Sequence, residues 1–262
     1  MTKLPTLDHI LLSLDNGILT ITFDRPEKLN ALNPPLHRSM AKAFDFACDC
    51  VEARVVVVTG AGRAFSAGGD MEDIAETVPG FAAEAEYGRK LVQRMLDCDK
   101  PILCRLNGDA IGLGATIVAL SDIVVASREV RIGDPHVRMG LVVGDGGALI
   151  RPAHVGMMMA KYHLLTGDLM TADEAKELGL VTFAVDPEEL DACCEKIAGK
   201  LSAGAPLAIK WTKRALNVEL QQKMPAVFEM SLARSGRADC HVKGSCRSPC
   251  GVPREAEAGF QG

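Results

Sequence analysis

The sequence predicts an α/β protein with layered sheets, and three observations carry that prediction. Strand and helix signals alternate through the first half of the chain. The unbroken run Val55-Val56-Val57-Val58 stops at Gly60, as expected of a strand buried on both faces. The second half turns almost wholly helical. A chain of 262 residues, 48% hydrophobic and 24% charged, can bury a large core, which excludes disorder as its global state.

Each element follows from its residues. Gly17 to Phe23 is a short β-branched run between Asp15-Asn16 and Arg25-Pro26, and reads as a strand. Pro35 to Cys48 sets Leu36, Met40, Ala43, Phe44 and Ala47 at helical spacing, with proline near the first turn. Tyr87 to Asp97 is helical with Leu91 and Met95 inward. Ile102 to Leu106 is a strand, followed by a glycine-rich turn, a short helix and a strand over Ile123 to Ala126. Thr171 and Glu174 form a capping box, and Gly179 stands where a helix C-terminal cap belongs. Pro187 to Leu201, Pro206 to Leu220 and Met224 to Ala233 are helical. Ser235 to Gly262 has neither period and reads as loop or tail.

Composition narrows function. A net charge of −5 argues against nucleic acid or an anionic membrane as main partner. The apolar stretch from Ala110 to Leu120 is far shorter than the roughly 20 residues of a spanning helix, and residues 1–14 lack a signal-peptide pattern. A cytoplasmic protein is expected. Nine cysteines, an odd number, do not read as a disulfide framework. Cys240, His241, Cys246 and Cys250 fit no familiar zinc spacing, so no metal is expected.

Two glycine-bearing turns follow strands, Gly60 to Asp70 and Asn107 to Gly114. A dinucleotide fingerprint would require glycine at 65 or 117, where Phe65 and Ile117 stand. What such turns can do is aim backbone N–H groups at one point, because glycine lets the chain approach closely. Two amides converging on a carbonyl oxygen would make an oxyanion hole. Strand-ending glycines are also ordinary turns without chemistry.

At these residues the sequence resembles the crotonase (enoyl-CoA hydratase/isomerase) superfamily over about residues 10 to 220. The matching stretches are Phe23-Asp-Arg-Pro-Glu-Lys-Leu-Asn-Ala-Leu32, Ala64-Phe-Ser-Ala-Gly-Gly-Asp70, Asn107 to Gly114, Gly140 to Gly147, and Leu165 to Asp168 leading to Ala175 through Val181. The resemblance implies a spiral of ββα units with two near-perpendicular sheets over residues 1–195. It implies a helical oligomerisation region over 196–262, with an irregular tail from about 235, and trimers or dimers of trimers. It also implies an acyl-CoA thioester substrate, with coenzyme A entering only as part of that substrate and no other cofactor. By motif position the oxyanion amides are those of Gly69 and Leu113. Lys28, Ala31, Ala67 and Asp70 fall where the family lines its substrate channel; Lys28 reads equally as a solvated surface lysine.

The departures are chemical. Where family hydratases carry two catalytic glutamates, this chain has Thr116 and His136. A threonine hydroxyl does not titrate usefully, whereas an imidazole can move a proton near neutral pH. Asp145, nine residues after His136 and among glycines, could orient the ring, or be a turn residue. Asp134 could turn-cap its own loop. His37 is a weaker candidate, and Trp211 reads as core or interface. The leading expectation is an enoyl-CoA hydratase-like enzyme using His136 for proton transfer. The alternatives are a C–C bond hydrolase of the retro-Claisen type acting on a β-dicarbonyl, and a silent acyl-CoA-binding oligomer.

Overall fold

The computed structural model describes residues 2–70 and 81–235. Segment 71–80 and the tail 236–262, with Cys240, His241, Cys246 and Cys250, lie outside the described residues, as does most of the irregular tail read from the sequence.

The chain opens with a hairpin. β1 (Ile10–Asp15) and β2 (Ile18–Phe23) pair antiparallel, with Asp15 opposite Ile18, so the loop is the two residues Asn16-Gly17. Both have positive φ, 50° and 78°, which the right-handed twist of a tight hairpin demands and which Asn-Gly supplies. A 3₁₀ turn at Pro26–Lys28 leads to α1 (Pro34–Asp49), whose N-terminus is capped by the Asn33 side chain accepting from Leu36 N–H at 3.0 Å. Its inward face holds Leu36, Met40, Ala43, Phe44 and Ala47, as the spacing predicts.

β3 (Val55–Gly60) is buried along its whole length between β2 and β5 (Ile102–Leu106), parallel to both. With β7 (Ile123–Ser127) and β10 (Phe183–Val185) these strands form a six-stranded sheet in the order β1-β2-β3-β5-β7-β10. A second sheet, β4-β6-β8-β9, is assembled from β4 (Ala64–Ser66), β6 (Asp109–Ile111), β8 (Arg131–Gly133) and β9 (Met170–Thr171). The expected α/β layering with two sheets is therefore present.

Helices fill the remaining layers. α2 (Phe81–Asp97) packs on α1, and α3 (Leu113–Leu120) is wholly buried. A 3₁₀ turn at His136–Met139 precedes α4 (Gly147–Thr166), which Gly156 interrupts with φ 74° and ψ 159°. α5 (Ala172–Glu177) carries the predicted capping box, and Gly179 takes φ 86° just past its end. α6 (Leu190–Ala203) spans the boundary expected at 195 and seals β3, β5 and β7 through Leu190, Cys194 and Ala198. α7 runs unbroken from Pro206–Ser235 across Pro225, where two helices were expected. Trp211 is 58% exposed, with the Lys210 and Arg214 cations over its ring, so it is not core. Cys48, Cys50, Cys98, Cys104, Cys193 and Cys194 are free thiols. Among the described residues no helix is long and apolar enough to cross a membrane.

Candidate active site

The two glycine turns meet because glycine lets their backbones touch. A Cβ at Gly108 would stand 2.1 Å from Arg63 O, one at Gly114 3.0 Å from Ser66 O, and one at Gly68 3.1 Å from Ile111 O. The segment from Ala64 to Asp70 thus lies directly on Gly108 to Gly114, joined also by the parallel pairing of β4 with β6.

That contact fixes the direction of both candidate amides. Leu32 and Gly69 form a parallel bridge in which Leu32 N–H donates to Gly68 O at 2.7 Å and Asp70 N–H donates to Leu32 O at 2.9 Å. The N–H of Gly69 itself therefore faces away from Leu32. Leu113 is the first residue of α3, where backbone N–H groups have no intrahelical acceptor and the helix dipole favours negative charge. Between them stands Gly112 (φ 55°, ψ −123°), whose Cβ position lies 3.8 Å from Gly68 Cα and 3.4 Å from His136 Cε1. The imidazole is thereby seated against the junction of the two turns.

His136 sits among charges. Its Nδ1 is held in a very short contact by Asp134 Oδ1, which also accepts from His136 N–H at 3.4 Å. Its Nε2 lies 4.0 Å from Asp145 Oδ2. Asp145 Oδ1 in turn accepts from the Thr116 hydroxyl at 3.1 Å and from Gly147 N–H at 3.3 Å. Asp134 is buried, and the His136 side chain keeps about 20% of its surface exposed. The sequence suggested Asp145 as the group orienting the ring; the structure gives the direct contact to Asp134, two residues before the histidine, and sets Asp145 on the opposite nitrogen. The reason is local: the 3₁₀ turn starting at His136 folds the ring back over the Asp134 carboxylate.

Burial pushes the His136 imidazole down, but the charges of Asp145 and Asp134 outweigh it, against repulsion from Arg151, and raise it to about 9. The ring rests protonated at neutral pH. Burial pushes Asp134 up, yet the His136 hydrogen bond and charge, with Arg151, hold it below the usual carboxylate range. Asp145 is held above that range by burial and the Asp134 charge. The three ligand-type side chains lie within 4.8 Å of one another, a spacing that could also hold a cation. The imidazolium and the nearby Arg151 charge already balance the carboxylates, so the donor set does not favour one.

The other candidates are placed as follows. Ala67 N–H donates to Leu29 O at 3.0 Å, and Ala31 is buried beside that turn. Asp70 Oδ2 accepts from Arg25 Nη1 at 2.7 Å, and the same nitrogen donates to Ala31 O at 3.0 Å. The Asp70 carboxylate therefore ties the loop carrying Gly69 to the Arg25–Ala31 turn. Lys28 ends the Pro26–Lys28 turn and is exposed. His37 lies on α1 against Tyr87 and Gly88 of α2. Sequence reasoning missed the pairing of Asp134 with the ring, although an Asp two residues before a His is a readable signal. It also missed Arg151, fully buried on α4, for which the sequence carries no signal.

Known proteins agree with this architecture. Residues 13–238 match the profile of the enoyl-CoA hydratase/isomerase family. The chain is 35% identical over 218 residues to a short-chain-enoyl-CoA hydratase from Clostridium acetobutylicum, covering 82% of this chain and 83% of that protein. It is 32% identical over 217 residues to a 1,2-epoxyphenylacetyl-CoA isomerase from Escherichia coli, covering 80% and 82%. The crystal structure of an enoyl-CoA hydratase/isomerase from Mycobacterium paratuberculosis superposes with a TM-score of 0.82 at 38% identity, covering 88% of this chain and 93% of that one. On the extent of these matches, with both sheets and the paired glycine turns in place, the chain belongs to the enoyl-CoA hydratase/isomerase family.

Proposed function

We propose that this protein is an acyl-CoA-processing enzyme of the hydratase type, in which His136 and Asp145 do the proton transfer that a pair of glutamates does in hydratases of this family. The observation that carries the reading is the Thr116–Asp145–His136 alignment beside Gly112. The carboxylate absent at position 116 is supplied by Asp145, which Thr116 holds, and the one absent at 136 is replaced by an imidazole.

In this reading the thioester carbonyl of an enoyl-CoA accepts from the N–H groups of Gly69 and Leu113. Each such donor is worth roughly 3 kcal/mol of barrier as charge develops on the oxygen. Water adds through oxygen to the β-carbon and gives a proton to Asp145, whose proton affinity is raised by burial and the Asp134 charge. The His136 imidazolium delivers its proton to the α-carbon as the enolate collapses. Transfer of the proton from Asp145 to His136 Nε2, 4.0 Å away in the resting site, restores the starting state. Asp134 holds the ring throughout. Ala31, Ala67 and Lys28 line the approach of the coenzyme A portion, with Asp70 fixing the loop that carries Gly69.

An imidazole that rests protonated is poorly suited to activate water for attack on a ketone, so the retro-Claisen alternative is the weaker one. The exposed apolar side chains of α4 and α7, among them Met158, Leu165, Leu207 and Leu216, support self-association, a homotrimer or dimer of trimers, which light scattering would read directly. The deciding experiment is turnover of crotonyl-CoA and longer enoyl-CoA esters beside a β-diketone panel. Hydration that is lost in His136→Ala supports the reading; full activity of that variant overturns it.

A further inference from the structure

Arg151 stands one turn into α4, and none of its surface is exposed. Its Nε, Nη1 and Nη2 have no hydrogen-bond partner among the described residues. An arginine held this way is costly, since a buried charge normally demands both a counter-charge and hydrogen bonds. The counter-charges are at hand. Asp134 Oδ2 and Asp145 Oδ2 are likewise buried without a hydrogen-bond partner. Both carboxylates pack on Gly147, one helical turn before Arg151: a Cβ there would stand 2.6 Å from Asp134 Oδ2 and 3.6 Å from Asp145 Oδ1. Two buried carboxylates therefore share the field of two cations, the His136 imidazolium and the Arg151 guanidinium. Among the described residues His154 of the same helix also feels the Arg151 charge, and its Nε2 is engaged with Ala119 O at 2.8 Å.

We propose that Arg151 is a positioning residue for the proton-transfer site, its guanidinium balancing the second carboxylate charge so that Asp134 and Asp145 stay ionised around a single imidazolium. The proposal rests on the reading of His136 and Asp145 given above and extends it to the charge that keeps their proton count fixed. Without Arg151 the cluster carries an uncompensated negative charge in a buried place and takes up a proton instead. The Arg151 charge repels the His136 proton and lowers its affinity. Its removal makes that proton harder to give away.

The test is a pH titration of the His136 ring nitrogens by NMR in the wild-type protein and in Arg151→Met, an apolar replacement of similar length. The His136 midpoint is expected to rise by about one pH unit in Arg151→Met and to return toward wild type in Arg151→Lys. An unchanged midpoint in folded Arg151→Met overturns the proposal. Should that variant fail to fold, the wild-type protein labelled with ¹⁵N-arginine decides. The Arg151 Nε resonance is expected to move with the His136 titration, and an Nε signal indifferent to it overturns the proposal. None of these readings uses turnover, so an inactive protein would count against the proposed reaction and leave the role of Arg151 to be judged separately.

Discussion

Thr116 donates its hydroxyl to Asp145 Oδ1 across 3.1 Å, linking the buried helix α3 to the glycine loop that opens α4. Position 116 thus presents a carboxylate at second hand. Replacing Asp145 by Asn keeps the shape and the hydroxyl contact but removes the base. Hydration of crotonyl-CoA is expected to fall by about 10²-fold or more, in line with the usual contribution of a positioned acid or base. Thr116→Val is expected to cost less, about tenfold, because a hydrogen bond to a charged group contributes from roughly 1.5 kcal/mol and the carboxylate itself remains. If Thr116→Val proves the more damaging of the two, Asp145 is not the base.

The protonation of His136 sets a pH window for stability. Its folded-state pKa is raised to about 9 from an ordinary value of 6.5, so folding binds this proton more tightly than the unfolded chain does. The resulting stabilisation is fully present below pH 6.5 and is lost as pH rises through 9, amounting to a few kcal/mol at most. Thermal denaturation between pH 6 and 10 is expected to show a fall in Tm between about pH 6.5 and 9, levelling off above, that is absent in His136→Gln. A wild-type Tm that follows the variant's across this range would mean that the ring is not held protonated by its neighbours.

Much of the fold is legible in the sequence, and the missing parts have separate causes. β3 is readable because four successive valines suit a strand buried on both faces, and α1 because its apolar residues keep helical spacing. The strands of the second sheet have two or three residues each, too short to show a period. They exist because β4 and β6 are pressed together at Gly108 and Gly114. β1 was missed although Asn16-Gly17 is a strong hairpin signal. At the site, motif position leads to Thr116 and His136, but which carboxylate touches which ring nitrogen depends on the 3₁₀ turn at His136. Arg151 is beyond sequence reasoning, since arginine is ordinarily a surface residue and only the packing of α4 buries it.

Glycine substitutions separate turns that must touch from positions that merely tolerate glycine. A Cβ at Gly114 would meet Ser66 Cβ at 2.9 Å and Ser66 O at 3.0 Å, and backbone cannot swing aside as a long side chain can. Gly114→Ala is expected to destabilise by about 1–3 kcal/mol and to part the turns carrying Gly69 and Leu113, lowering activity further than stability alone explains. Gly199, inside α6, has nothing within 4 Å of its Cβ position. Gly199→Ala is expected to stabilise by about 0.5–1 kcal/mol through helix propensity, with activity unchanged. Chemical denaturation of both variants reads the two signs, and equal signs would refute the contact geometry.

The Arg25–Asp70 pair gives the last prediction. Arg25 Nη1 reaches both Asp70 Oδ2 at 2.7 Å and Ala31 O at 3.0 Å, and the two side chains are only 12% and 8% exposed. Such a pair is screened little by solvent, so removing one partner costs more than the pair contributes net. Arg25→Met is expected to destabilise by about 3 kcal/mol, and the double variant Arg25→Met with Asp70→Asn to recover part of that loss. Because Asp70 follows Gly69 directly, loosening the pair frees the strand bridge at Leu32 and with it the direction of the Gly69 N–H. The single variant is therefore expected to lose kcat for enoyl-CoA hydration out of proportion to any change in KM, as befits a donor that matters most when charge develops on the thioester oxygen. A rise in KM with kcat intact would instead make Asp70 and Arg25 part of ordinary substrate binding, and would separate the anchoring of this loop from catalysis.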